Sequence, residues 1–147
     1  MEFMVSPFSE EAVEILKKIN VRYFKIASGE VTNHKMLHLI KKTGKKVFLS
    51  TGMSSWKEID NALKILKIKK IVLMQCTSLY PCPPQKAGLN IISEMKKRYS
   101  NKYIYGFSDH TQGNEAAILA MSLGAKVFEK HLTFSKSMYG SDAKFAM

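Results

Sequence analysis

His110 and His131 each end an apolar run and each has an acid nearby, in the strings FSDHT (107–111) and EKHLT (129–133). Two imidazoles at the ends of neighbouring parallel strands can meet at one ion. Nitrogen ligands completed by water or substrate oxygens suit a transition metal such as manganese. Asp109 and Glu129 adjoin these strings' histidines and have two readings: they orient the ligands, or they satisfy local backbone groups. A second set of residues carries different chemistry. Lys25 sits inside an apolar run, where a charge is costly unless paired or functional. Hydroxyls follow the runs at Ser6, Ser28, Ser50, Ser78 and Ser108. Hydroxyl donors around a lysine point charge suit a phosphate. No Walker loop is present, which argues against a nucleoside triphosphate. His34 and His38 have the i, i+4 spacing of a ligand pair but no acidic partner in register, and they read as surface residues.

Six short apolar segments must position these groups: Phe3–Val5, Tyr23–Ala27, Val47–Leu49, Ile71–Cys76, Tyr103–Phe107 and Lys126–Glu129. Several are apolar at nearly every position, the pattern of parallel strands buried on both faces. Helical patterns separate them. Ser9 can cap a helix with Val13, Leu16 and Ile19 on one face. Met36, Leu37 and Ile40 form the next, which Gly44 can close in a left-handed turn. Ser55 and Glu58 form a capping box before Ile59, Leu63 and Leu66. Leu89 to Met95 and Ala116 to Leu123 give two more, the last stopped by Gly124. The order is (βα)₅β, which predicts an α/β fold with a parallel sheet and right-handed crossovers.

Polar residues follow all six strands. An open doubly wound sheet needs them at one switch point, whereas a barrel directs every strand end at one mouth. The pattern therefore favours a partial (β/α)₈ TIM barrel of about six βα units, with residues 1–147 as one domain. Turn and cap preferences account for Gly52 and Thr111, but poorly for Lys25 or for Glu129-Lys130-His131.

The 147 residues suffice for one core. The formal net charge is +11, but 21 lysines against 2 arginines, spread over helix faces and turns, describe a solvated surface. No aromatic-plus-basic stripe supports nucleic-acid binding. No apolar run reaches the roughly 20 residues of a membrane helix, and Glu2 stands where a signal peptide has a basic segment. A cytoplasmic location is the expectation. Cys76 and Cys82 fit neither a zinc knuckle nor a CxxC pair and read as reduced structural thiols.

Five strings in order, FKIASGE (24–30), LSTGM (49–53), CTSLYP (76–81), FSDHT and EKHLT, resemble the sialic acid synthase family. This is the N-acetylneuraminate synthase group, with its legionaminate and pseudaminate relatives. The likeness begins at MVSPFS (4–9) and covers nearly the whole chain. It implies a (β/α)₈ barrel condensing phosphoenolpyruvate with an N-acetylated hexosamine of the N-acetylmannosamine type. The product is a nonulosonic acid, with release of phosphate. It implies a divalent metal, Mn²⁺ before Mg²⁺, on His110 and His131. Lys25, Ser28, Ser50, Ser78 and Ser108 correspond to the phosphoenolpyruvate cradle, and Ser6 keeps a hydroxyl where the family often has threonine. Glu30, Tyr80 and Asp142 match positions expected to touch the sugar. Lys25, Glu30, Asp109 and Glu129 are the candidate catalytic residues. The resemblance places the chain at barrel strands three to eight, outside the first two strands and the C-terminal antifreeze-like domain. The full-length family is expected to be homodimeric. Two alternatives stand beside this reading: a non-catalytic remnant or subunit that still binds metal and phosphate, and a related phosphoenolpyruvate-dependent 3-deoxy-sugar acid synthase.

Overall fold

The structure, a computed structural model, describes residues 1–68 and 70–147. The chain divides into two compact units, Met1–Leu73 and Met74–Met147. The strands follow one another in the order β1-β2-β3-β4-β5. That sequential order, with a helix on each crossover, is the α/β arrangement the sequence predicts.

In the first unit, helix α1 (Glu10–Lys18) starts at Ser9, whose side chain accepts from the Ala12 amide at 3.1 Å. Glu10 and Glu11 fill its first turn and Lys17 and Lys18 its last, matching the helix dipole. It buries Val13 and Leu16, but Ile19, expected on the same face, is the exposed C-cap. Strands β1 (Tyr23–Ile26) and β2 (Lys46–Ser50) pair in parallel, with Lys25 opposite Phe48 and Ile26 opposite Leu49. Helix α2 (His34–Lys42) buries Met36, Leu37 and Ile40, and Gly44 follows it at φ +63°. Helix α3 (Trp56–Leu66) carries the full capping box of Ser55 and Glu58 and buries Ile59, Leu63 and Leu66.

One expected strand does not form. Of Phe3–Val5, only Val5 pairs, in an isolated parallel bridge to Phe24 in which the Lys25 amide donates to the Val5 carbonyl at 3.1 Å. Phe3 and Met4 are exposed, so their apolar character has no core to enter. The described residues hold five strands where six were expected.

Strand β3 (Ile71–Cys76) contains the boundary between the units and is buried at every residue. The second unit continues with α4 (Asn90–Tyr99), β4 (Ile104–Asp109), α5 (Glu115–Ser122) and β5 (Val127–Lys130). Its core gathers Ile92, Met95, Tyr105, Phe107, Ala116 and Ala120. Helix α5 buries only its two alanines in that core and leaves Ile118, Leu119 and Met121 exposed. Strands β4 and β5 pair in parallel in the register Gly106–Val127, Ser108–Glu129 and Asp109–Lys130. Gly106 is what permits the close pairing. A Cβ there would sit 2.7 Å from the Val127 carbonyl oxygen.

A candidate metal and anion site

The register of β4 and β5 places three consecutive residue pairs side by side. Ser108 donates its hydroxyl to Glu129 Oε1 at 2.8 Å. Asp109 and Lys130 form an ion pair at 2.7 Å. One residue further on, the His110 and His131 rings stand 5.5 Å apart between centroids. Both histidines stand one residue beyond the strand ends, where the ladder no longer dictates their direction.

Each histidine has its Nδ1 engaged. His110 Nδ1 lies 2.9 Å from the Thr77 carbonyl oxygen, and a carbonyl only accepts, so the proton resides on Nδ1. His131 Nδ1 lies 3.2 Å from Asp142 Oδ2. This leaves Nε2 of both rings as lone-pair donors, the tautomer that metal-ligating histidines adopt when a carbonyl or carboxylate holds the other nitrogen. Burial pushes the His110 imidazole below its ordinary pKa, and the neighbouring His131 adds to that. The accepting Thr77 carbonyl and the Glu129 and Asp109 charges oppose the shift. A neutral ring is the ligand form.

Aromatic rings close the pair in. Tyr80 stacks at 4.1 Å from His110 and stands edge-on to His131 at 6.2 Å. Phe145, fully buried, meets His131 at 5.0 Å and His110 at 6.3 Å. Burial raises the Tyr80 phenol above its usual pKa, so it stays protonated. The strand end is fastened to the preceding loop, where the Cys82 amide donates to the His110 carbonyl at 2.9 Å. The terminal segment is fastened likewise: the Met147 amide donates to the His131 carbonyl at 2.9 Å, and the Thr133 amide to the Met147 carbonyl at 3.0 Å. Beside Asp142 a hollow of about 280 Å³ is lined by His131, Thr133, Tyr139 and Ser141.

The first unit holds the remaining candidates. Lys25 is buried in β1 and Ser50 at the end of β2. Ser50 Oγ is buried with no hydrogen-bond partner among the described residues. A buried orphan hydroxyl is costly, and at a strand end it is a group waiting for an acceptor or donor. Ser28 and Glu30 share a short 3₁₀ turn after β1, where Glu30 accepts from Asn33 at 2.9 Å. Ser6 is half-buried, and His34 and His38 are exposed.

A family-wide sequence pattern described as the NeuB family matches residues 1–147. The chain belongs to the NeuB family. The N,N'-diacetyllegionaminic acid synthase of Campylobacter jejuni is 40% identical over 150 residues, covering 99% of this chain and 44% of that protein. The human N-acetylneuraminate-9-phosphate synthase is 37% identical, covering 95% of the chain and 39% of its own length. Among solved structures, the N-acetylneuraminic acid synthetase of Leptospira borgpetersenii superposes over the whole chain and 52% of its own, with a TM-score of 0.93 at 35% identity. The fold of this NeuB chain is accordingly a partial (β/α)₈ barrel. It spans under half the length of the curated relatives it matches.

The second unit brings Tyr80, Ser108, Asp109, His110, Glu129, His131 and Asp142 together. Ser78 also belongs to this unit, and its hydroxyl lies 3.7 Å from the Cys76 sulfur. Three participants escaped the sequence reading. Phe145 had no motif around it, and the Thr77 carbonyl is backbone and invisible to residue type. Lys130 was in view within EKHLT, but only its register opposite Asp109 gives it a partner.

Proposed function

We propose that the protein is a nonulosonic acid synthase that condenses phosphoenolpyruvate with an N-acetylated hexosamine and releases phosphate. The observation carrying this reading is the His110–His131 pair, with each Nδ1 held by an acceptor and both Nε2 atoms left to bind. Membership of the NeuB family and the names of the relatives support the product class.

The two imidazoles offer a divalent ion two nitrogen ligands, and among the described residues no third His, Cys, Asp or Glu side chain joins them. His110 and His131 would hold it, with water and substrate oxygens completing the shell, and manganese suits such mixed ligation. When bound, a divalent cation supplies Lewis acidity to the sugar carbonyl. The chain's own residues do the rest. For the anionic substrate the first unit offers Lys25 and the hydroxyls of Ser6, Ser28 and Ser50, and the second offers those of Ser78 and Ser108. Glu30, Tyr80 and Asp142 face the sugar. C3 of phosphoenolpyruvate forms the new bond to the aldehyde carbon, water adds at C2, and the C2–O bond to phosphate breaks. Of the acids proposed for catalysis, Glu129 accepts from Ser108, whereas Asp109 is committed to Lys130 and Thr111.

A second reading is metal and anion binding without turnover, which the same histidine pair would also support. One assay separates the two. The chain is mixed with phosphoenolpyruvate, N-acetylmannosamine and Mn²⁺, and phosphate and nonulosonate are measured. Equimolar release over many turnovers, abolished by chelator, supports the synthase reading. Mn²⁺ binding without turnover supports the second, and absence of both rejects the site.

A further inference from the structure

The three cross-strand pairs differ in what they can contribute, and Lys130 of the middle one has no assigned role. Lys130 is nearly buried and its ammonium has three partners: Asp109 Oδ2 at 2.7 Å, the Thr111 carbonyl at 2.7 Å and the Gly113 carbonyl at 2.8 Å. An ammonium has three donors, so all are used. Asp109, 1% exposed as a residue, spends Oδ1 on the amide of Thr111 at 2.9 Å and on its hydroxyl at 2.7 Å. The residues Lys130 and Asp109 grip are those on either side of His110, and Lys130 itself precedes His131.

We infer that Lys130 is a positioning residue that fixes His110 against His131 by tying residues 109, 111 and 113 to the end of β5. The inference rests on reading the two histidines as a metal site. A buried ion pair contributes little to net stability, because desolvation offsets the attraction. Its use here is directional. Three donors on one atom fix the height and rotation of the backbone carrying His110, and the 5.5 Å ring separation follows from that. A hydrophobic pair of similar volume fills the space but takes the Lys130 donor from the Thr111 carbonyl and leaves the Gly113 carbonyl only the longer 3.4 Å bond from the Thr111 hydroxyl, so the turn is less constrained. Supporting interactions of this kind change metal affinity by roughly 10–100-fold.

The test compares wild type, Lys130→Met and the charge-free double variant Asp109→Asn/Lys130→Gln, all checked for folding by circular dichroism. Two measurements are made. Ring-to-ring nuclear Overhauser contacts between His110 and His131 are recorded in chelator-treated protein, and Mn²⁺ binding is titrated by the loss of the free-ion paramagnetic resonance signal. The inference expects both variants to lose the ring contacts and at least tenfold in Mn²⁺ affinity. The double variant retains the fold should Lys130→Met unfold. Wild-type ring contacts and wild-type affinity in a folded variant overturn it. If wild type binds no Mn²⁺ yet the variants lose the ring contacts, the metal reading fails and the positioning role stands.

Discussion

Asp142 Oδ2 lies 3.2 Å from Nδ1 of His131, so the residue that the family likeness assigns to the sugar also touches the imidazole assigned to the metal. Asp142 is half-exposed beside the hollow, and its Oδ1 accepts from the Ser141 hydroxyl at 2.9 Å. The two roles predict different kinetics. A carboxylate that orients a ligating histidine is worth roughly 10–100-fold in metal affinity. Asp142→Ala is expected to weaken Mn²⁺ binding by about that factor in a direct titration. A raised KM for the sugar with unchanged Mn²⁺ affinity would assign Asp142 to substrate alone.

His110 gives a pH dependence with a definite sign. Burial holds its imidazole below the ordinary value, so the native state prefers the neutral ring. An unfolded histidine takes up its proton near about pH 6.5. Above that value the contribution is fully present. It is lost as the pH falls through it towards the lower native pKa, because the unfolded state binds the proton first. In chelator-treated protein, the urea midpoint should therefore fall more steeply between pH 7 and pH 5 for wild type than for His110→Gln. Parallel curves would refute the assignment.

Much of the fold is legible in the sequence. The capping box at Ser55 and Glu58, the buried faces of α2 and α3, and all five strands of the described residues follow from spacing and cap chemistry that act within a few residues. The failures share a cause. Phe3–Val5 has the apolar pattern of a strand, yet a strand needs a ladder, and only Val5 finds a partner. Helix α5 forms where Ala116 to Leu123 predicts one, but spacing alone does not show that it buries only Ala116 and Ala120. The site divides the same way. The histidines were visible by type and position. The Thr77 carbonyl and the Phe145 wall arrive from segments distant in sequence, and the partnership of Lys130 depends on the pairing of β4 with β5.

That register has a sequence-local device in Gly106. Its missing Cβ lets the Val127 carbonyl approach, and an alanine there would also crowd the Met74 side chain at 3.2 Å. Overpacking of this kind costs about 1–3 kcal/mol. Gly106→Ala should lower the stability measured by urea unfolding by that amount. It should also weaken Mn²⁺ binding, since β4 and β5 carry the two histidines. A variant as stable as wild type would mean that the strands part without cost and that the close pairing is incidental.

Ser50 offers a trade between stability and binding. Its hydroxyl is buried at the end of β2 with no hydrogen-bond partner among the described residues. An unsatisfied buried polar group costs about 1–3 kcal/mol, and removing it relieves that cost. Ser50→Ala creates almost no cavity, so the ligand-free protein should become more stable by about 1 kcal/mol. If the hydroxyl is kept for an anionic substrate, the same substitution should weaken phosphoenolpyruvate binding about tenfold, the equivalent of one hydrogen bond to a charged group. Thermal unfolding with and without phosphoenolpyruvate reads both effects at once: a higher Tm without ligand and a smaller ligand-induced rise. A lower ligand-free Tm would show that Ser50 supports the fold, and an undiminished rise would remove it from the anion site.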